Sequence, residues 1–122
     1  MFNHFPNEND FLSLFECEPT LFDPTLKDFF YNVATYHFTN GEEDFNVTLS
    51  PSYGEVKIQV TQKDSNKLTT LLDLKRVEKF EITCDKQEQS SVLLWIQNDF
   101  TQTLEVDFKP KFKLIFKEHY TD

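Results

Sequence analysis

Apolar and polar residues alternate with a period of two along much of this chain of 122 residues, and this pattern constrains the fold more than any other feature. The run from residue 56 illustrates it with the residues Val56, Lys57, Ile58, Gln59, Val60 and Thr61. Successive side chains of a β-strand point to opposite faces of the sheet, so such a run predicts a strand with one buried face and one wet face.

Eight strand-like segments follow one another at short spacing. They are residues 26–38, 45–49, 56–61, 68–74, 77–84, 92–96, 104–108 and 112–116. Asn40-Gly41, between the first two, is a strong short-range hairpin signal. The sequence therefore predicts a mainly β (α+β) fold, a meandering antiparallel sheet of about seven to eight strands that curls into a half-barrel or sandwich.

Two segments depart from this alternation. Asp10 is placed to cap a short N-terminal helix whose apolar stripe is Phe11, Leu12, Leu14 and Phe15. Residues 26–38 are ambiguous, because the spacing of their apolar residues fits a helix while their aromatic and β-branched content fits a strand. The hairpin signal that follows favours the strand.

Composition and length predict one domain, residues 1–122, with no membrane span. The chain is long enough for one hydrophobic core, and its longest apolar run, residues 92–96, is far shorter than the roughly 20 residues that cross a bilayer. The first residues are acidic and lack a positively charged leader, so we expect a cytoplasmic protein. Cys17 and Cys84 lie far apart without a neighbouring cysteine, which predicts reduced thiols.

The sequence offers little for catalysis, and we expect no catalytic residue, no metal site and no cofactor. Three histidines lack metal-ligand spacing, and the two glycines are too few for phosphate-binding or dinucleotide loops. Two enzymatic alternatives remain open. One is a Cys84 nucleophile with His37 or His119, and the other is an acid and base pair of Asp23 and Asp28.

The net charge of −9 lies entirely in the first half of the chain. Residues 1–55 contain ten carboxylates and one lysine, whereas residues 56–122 contain eleven acids and eleven basic residues. An acidic surface repels nucleic acid and attracts a basic protein, although the charge could also serve solubility alone. Lysines of the last strand, among them Lys111, Lys113 and Lys117, are typical of a protected sheet edge.

The densest acidic cluster lies beside the predicted hairpin turn. We expect it to be a flexible acidic finger that enters a basic groove in place of phosphate groups, or else a solvated hairpin tip. The predicted partner-binding residues are Glu42, Glu43 and Asp44, supported by Glu16, Glu18 and Asp23.

Three stretches carry a resemblance to a known family. They read FECEPTLFD from Phe15, LTTLLDLKRVEKFEITCD from Leu68 and SVLLWIQND from Ser91. The chain resembles the small immunity proteins of bacterial polymorphic-toxin and contact-dependent growth inhibition systems. The resemblance implies a cytoplasmic antidote that binds a cognate toxin domain, often a basic nuclease, and blocks its active site. Leu21-Phe22-Asp23 stands where the family has aromatic-His-Asp, so no role of that turn is carried over.

Two other functions stay open beside this one. The chain could be a general interaction module, such as a phage-type inhibitor or a subunit of a larger assembly. It could also be a small enzyme with a carboxylate or Cys/His site.

Overall fold

The computed structural model describes residues 4–120, in which two antiparallel sheets share one core. The first sheet contains β1 (Thr20–Leu21), β2 (Ala34–Thr39), β3 (Glu43–Ser50), β4 (Glu55–Gln62) and β5 (Lys67–Leu74). The second contains β6 (Val77–Lys86), β7 (Gln89–Gln97), β8 (Thr101–Lys109) and β9 (Lys113–His119). Within each sheet, every strand pairs with the next one along the chain, so both sheets are meanders.

The predicted antiparallel meander is confirmed, and every predicted strand segment contains or overlaps a strand. The meander divides after β5, where Lys75 and Arg76 connect the two sheets. Both sheets stay open in the described residues, and β5 and β9 are edge strands. The fold is therefore a two-sheet sandwich of nine strands.

Alternating side chains of both sheets fill the core. Val56, Ile58 and Val60 of β4 are fully buried, as are Val92 of β7 and Val106 of β8. In β4 the polar residues Lys57, Gln59 and Thr61 alternate with these valines and isoleucine and are less buried, as the period-two pattern predicted.

The helix α1 (Glu8–Phe15) closes one side of the sandwich with Phe11, Leu14 and Phe15. It begins earlier than predicted, since Asn7 is the N-cap and Asp10 is its capping-box partner. Asn7 Oδ1 accepts from the Asp10 amide at 2.9 Å, and Asp10 Oδ2 accepts from the Asn7 amide at 3.1 Å. None of the helices in residues 4–120 has the length and apolar character of a membrane span.

The prediction of one strand over residues 26–38 is wrong for its first part. Residues Phe29–Tyr31 form a 3-10 helix, and β2 begins only at Ala34. Asp28 Oδ1 accepts from the Phe30 amide at 3.1 Å, which caps this turn and competes with strand pairing. Pairing resumes at Ala34, which lies between Leu21 of β1 and Leu49 of β3. The helical spacing therefore corresponds to the first part of the segment, which forms the 3-10 helix, and the β-branched and aromatic content corresponds to the second part, which forms β2.

Candidate functional site

The charge asymmetry of the sequence becomes an asymmetry between the two layers of the sandwich. Residues 4–74, which build α1 and the first sheet, contain twelve carboxylates and four lysines, a net charge of −8. Residues 75–120, which build the second sheet, contain eight carboxylates and eight basic residues. The chain completes α1 and one sheet before it begins the other sheet. We call α1 and the first sheet together the acidic layer, because they carry the whole excess of carboxylates while the second sheet is neutral.

The predicted acidic finger is anchored at its base. Asn40 donates from Nδ2 to the Phe108 carbonyl at 2.9 Å and to Glu43 Oε1 at 3.0 Å. Glu43 Oε1 also accepts from the Phe112 amide at 3.3 Å. Glu43 is therefore half-buried and ties the β2–β3 hairpin to the β8–β9 turn, whereas Glu42 and Asp44 are exposed.

Glu16 lies at the same end of the sandwich as this hairpin. Its Oε2 pairs with Lys109 Nζ at 2.8 Å, one residue after the carbonyl that holds Asn40. The Lys63 amide donates to the Glu42 carbonyl at 3.0 Å, which brings a further lysine to the hairpin. We call Glu16, Glu42, Glu43 and Asp44 the hairpin end, and its acids are interleaved with lysines. Glu18 is exposed just before β1.

Asp23, the sixth predicted residue, lies at the opposite end of the first sheet. The Phe22 amide donates to the Val33 carbonyl at 2.9 Å, which extends the β1–β2 pairing away from the hairpin. Asp23 Oδ1 accepts from the Thr25 hydroxyl at 2.6 Å and from its amide at 3.0 Å. The structure thus gathers four of the six predicted residues at the hairpin end and leaves Asp23 far from them.

Asn32 organises the segment that carries Asp23, and it is 3% exposed. Its Nδ2 donates to the carbonyls of Asp23 at 2.8 Å and Leu26 at 3.2 Å. Its Oδ1 accepts from the amides of Asp23 at 3.2 Å and Val33 at 2.9 Å. Four bonds to one buried side chain hold residues 23–33 in a defined shape.

Three aromatic side chains project from this end into solvent. Phe22 is 86% exposed, Tyr53 is 74% exposed and Tyr31 is 64% exposed. The 3-10 helix that carries Tyr31 packs against a second one, Pro51–Tyr53. We call Phe22, Tyr31 and Tyr53, together with Asp23, Asp28 and Glu55, the aromatic end. Sequence reasoning missed Tyr31 because it assigned residues 26–38 to a strand; the signal was Asp28 at a capping position before Phe29. The exposure of Phe22 and Tyr53 had no signal in the local pattern.

The proposed catalytic pairs are not assembled in the described residues. Cys84 pairs with Ser91 across the second sheet, while His119 pairs with Thr101, further along the same sheet. His37 lies on the other sheet, in β2. Asp23 and Asp28 each cap a local turn, and the hydrogen bonds from Thr25 lower the pKa of Asp23, opposite to the shift that a general acid needs. Within residues 4–120, no group of three His, Cys, Asp or Glu side chains is placed to hold a metal ion.

Two other surface features carry apolar residues. A cleft of about 430 Å³ opens between the edge strands β5 and β9, lined mainly by Leu72, Leu74, Ile96, Leu104, Leu114 and Phe116. On the outer face of the second sheet, Trp95 donates from Nε1 to Glu81 at 3.2 Å and stacks on His119. Trp95 is thus half-covered by its own neighbours.

Comparison with known proteins identifies a shared fold. No protein-family model and no curated protein matches this sequence. A chain of the contact-dependent growth inhibition toxin–immunity protein complex from Klebsiella pneumoniae 342 superposes with a TM-score of 0.75 at 19% sequence identity. The match covers 98% of this chain and 100% of that chain, so the two have the same fold over their whole length.

Proposed function

We propose that this protein is an immunity protein that binds a cognate toxin domain and neutralises it by covering the toxin's active site. The observation that carries the proposal is the fold, which matches a chain of a toxin–immunity complex over its whole length. The resemblance in FECEPTLFD and the two later stretches supports the same function independently of the structure.

We further propose that the toxin is a basic, nuclease-type domain. A nuclease holds phosphates with cationic side chains, and carboxylates of an inhibitor can occupy the same positions. The net charge of −8 on one layer supports this, because a one-sided field steers an oppositely charged partner to that layer. In this proposal the protein works by binding in the cytoplasm, without catalysis or a cofactor.

The acidic layer supplies the contact residues Glu42, Glu43, Asp44, Glu16, Glu18 and Asp23 in this proposal. Their individual roles differ, because Glu16 and Glu43 already have partners within the chain. Glu18, Glu42 and Asp44 are exposed and are the carboxylates at which a basic partner meets the least competition. Truncating Glu43 would also loosen the hairpin, so its contribution to binding needs a separate stability measurement.

The test begins with the gene directly upstream of the gene for this protein, where the proposed function expects a toxin, and continues with co-expression of this protein and the toxin domain encoded there. We expect cells that produce the toxin domain to grow only when this protein is present, and the two proteins to co-purify as a complex. A non-cognate toxin domain of similar charge is the control for specificity. Growth arrest despite abundant folded protein, with no complex on gel filtration, would disprove the proposed function.

A further inference from the structure

The aromatic end exposes three large aromatic side chains to solvent. Phe22, Tyr31 and Tyr53 are each more than half exposed. Other aromatic residues of the same sheet, such as Tyr36 and Phe45, are buried in the core. Clustered exposed aromatics mark binding surfaces, and tyrosine is enriched among the residues that dominate binding energy.

These aromatics stand along one edge of the sheet. Ala34 pairs with Leu21 and Leu49, and Ser50 pairs with Glu55, so Phe22, Val33, Ser50 and Glu55 continue one row across four strands. At the usual strand spacing, Phe22 and Glu55 are about 14 Å apart. Tyr53 lies in the connection between Ser50 and Glu55, which places a second aromatic at the far side of the row.

The backbone below these side chains is already ordered. Asn32 holds residues 23–33 with four hydrogen bonds, and Asp23 and Asp28 cap the turns before Leu26 and Phe29. A partner that binds here does not need to order the loop, which removes part of the entropic cost of association.

Charge decides which partner suits this surface. Asp23, Asp28 and Glu55 lie in or beside the turns that carry the aromatics. Lys27 belongs to the same turns, and Lys57 and Lys75 line a pocket with Glu55, where Lys75 already pairs with Asp73 at 3.3 Å. Aromatic faces and carboxylates together bind arginine and lysine side chains, through cation–π contact and charge-assisted hydrogen bonds. At the hairpin end, Glu16 is paired with Lys109 and Glu43 is bound within the chain, so Glu42 and Asp44 are the carboxylates left for a partner.

We infer that the aromatic end is the centre of the toxin-binding surface and that it receives an arginine- or lysine-rich patch of the toxin domain. The inference rests on the proposed function and adds the place and the chemistry of contact. The carboxylates of the hairpin end then lie at the periphery of the proposed contact and act mainly on the rate of association.

The first test removes the aromatics one at a time, with the upstream toxin domain in an inactivated form as the binding probe. Phe22→Ser, Tyr31→Ser and Tyr53→Ser should keep the unfolding midpoint of the wild type, because these side chains lie in solvent. At least two of them should weaken the Kd by about 30-fold, the loss typical of a residue at an interface centre.

Tyr120→Ser is the matched control. Tyr120 is 76% exposed but belongs to the neutral second sheet, after β9. Its removal should change the Kd by less than about threefold. If all three variants of the aromatic end bind like the wild type, or if the control loses as much as they do, the inference is wrong while the proposed function stands. If the wild type does not bind at all, the proposed function fails and this inference fails with it.

The second test removes charge and keeps the fold. Asp23→Asn and Asp28→Asn retain the oxygen that caps each turn, since asparagine caps as well as aspartate. Combined with Glu55→Gln, they should weaken the Kd by about tenfold and reduce its dependence on salt. The matched variant Glu42→Gln/Asp44→Asn at the hairpin end should slow association but leave the dissociation rate unchanged. The reverse pattern would place the contact at the hairpin end.

A second copy of this chain is the competing occupant. Sedimentation of the free protein should show a monomer at concentrations well above the Kd for the toxin domain. A dimer that Tyr53→Ser dissociates would assign the aromatic end to self-association and overturn the inference.

Discussion

Tyr36 is the residue whose polar group fits its surroundings least well. Its ring is fully buried and packs against Phe11 and Phe15 of α1. Its hydroxyl has no hydrogen-bond partner within the described residues. Burial raises the pKa of Tyr36, and the negative charges of Glu8, Cys17 and Glu18 act in the same direction. The hydroxyl is thus a cost to folding that the aromatic packing offsets.

Tyr36→Phe should therefore leave the free energy of unfolding unchanged or raise it by about 1 kcal/mol, because it removes an unpaired buried hydroxyl and keeps the ring. Urea unfolding followed by circular dichroism measures this. Tyr31→Phe, at an exposed tyrosine, is the control and should stay within about 0.5 kcal/mol of the wild type. A loss of more than about 1 kcal/mol in Tyr36→Phe would show that the hydroxyl has a stabilising partner.

Tyr36 should also make the stability of the protein depend on pH in the alkaline range. In the unfolded chain Tyr36 has the ordinary tyrosine pKa of about 10, whereas burial raises the pKa in the folded state. Below pH 10 both states hold the proton. Above it the unfolded state alone releases the proton, so the stability falls by up to about 1.4 kcal/mol per pH unit. Unfolding curves of the wild type and Tyr36→Phe between about pH 9 and pH 11 should diverge, and parallel pH dependences would contradict this.

Asn32 stabilises the fold through the hydrogen bonds of its side-chain amide more than through the volume that it fills. Asn32→Ala removes four hydrogen bonds at a buried position and should cost about 2–3 kcal/mol of unfolding free energy. Asn32→Asp keeps the accepting oxygen, loses the donor and should cost nearly as much. Native-state hydrogen exchange should show the Asp23 and Val33 amides losing protection first. Unchanged protection would mean that the aromatic end is held by other contacts.

At the scale of elements, the β2–β3 hairpin and the β8–β9 turn act as a clasp between the two sheets. Asn40 and Glu43 contribute the side chains, and Phe108 and Phe112 contribute backbone groups. The clasp joins the sheets at one end, while Phe11 and Phe15 of α1 fill the side. Neither contact lies within one sheet, so neither could be read from strand pairing.

Glu43→Ala should lower the unfolding free energy by about 1 kcal/mol, because it deletes two hydrogen bonds to a charged acceptor at a half-exposed position. Glu42→Ala, one residue away and exposed, is the matched control and should change it by less than about 0.5 kcal/mol. Equal effects of the two substitutions in urea unfolding would show that the clasp does not contribute.

Over the whole molecule, the main difference between the acidic layer and the second sheet is their net charge, −8 against zero. Among residues 4–120, most carboxylates of the acidic layer make no ion pair, whereas Lys113 of the second sheet contacts Asp107 at 3.5 Å and Glu105 at 3.9 Å. Repulsion between the carboxylates of the acidic layer therefore opposes folding.

Moderate salt should thus stabilise the free protein. Raising NaCl from about 20 to 200 mM shortens the screening length and should increase the unfolding free energy by roughly 0.5 kcal/mol, the scale of exposed charge interactions. Urea must be the denaturant, because guanidinium is itself a salt. A decrease with salt would mean that ion pairs such as Glu16–Lys109 outweigh the repulsion.

Most strands, and the buried face of those that alternate regularly, followed from the local pattern of the sequence. Alternation at residues 56–61, and the Asn40-Gly41 signal, depend on neighbours in the chain and on the strand period, so local pattern was enough. The hydrophobic stripe of α1 was readable for the same reason, although its cap lies three residues before the predicted one. A chain of a contact-dependent growth inhibition toxin–immunity complex, the kind of system that the resemblance named, shares this fold.

Only the tertiary structure decided where the meander divides into two sheets and which carboxylates stay free. Glu42 and Glu43 are adjacent in sequence, yet the Phe112 amide, distant in the chain, makes one of them structural. Residues 26–38 divide between a capped turn and a strand because pairing with β3 begins only at Ala34. The aromatic end exists because sheet pairing and Asn32 bring residues 22–33 and 51–55 together. Such contacts join residues far apart in the chain, and their free energies depend on packing that no local pattern encodes.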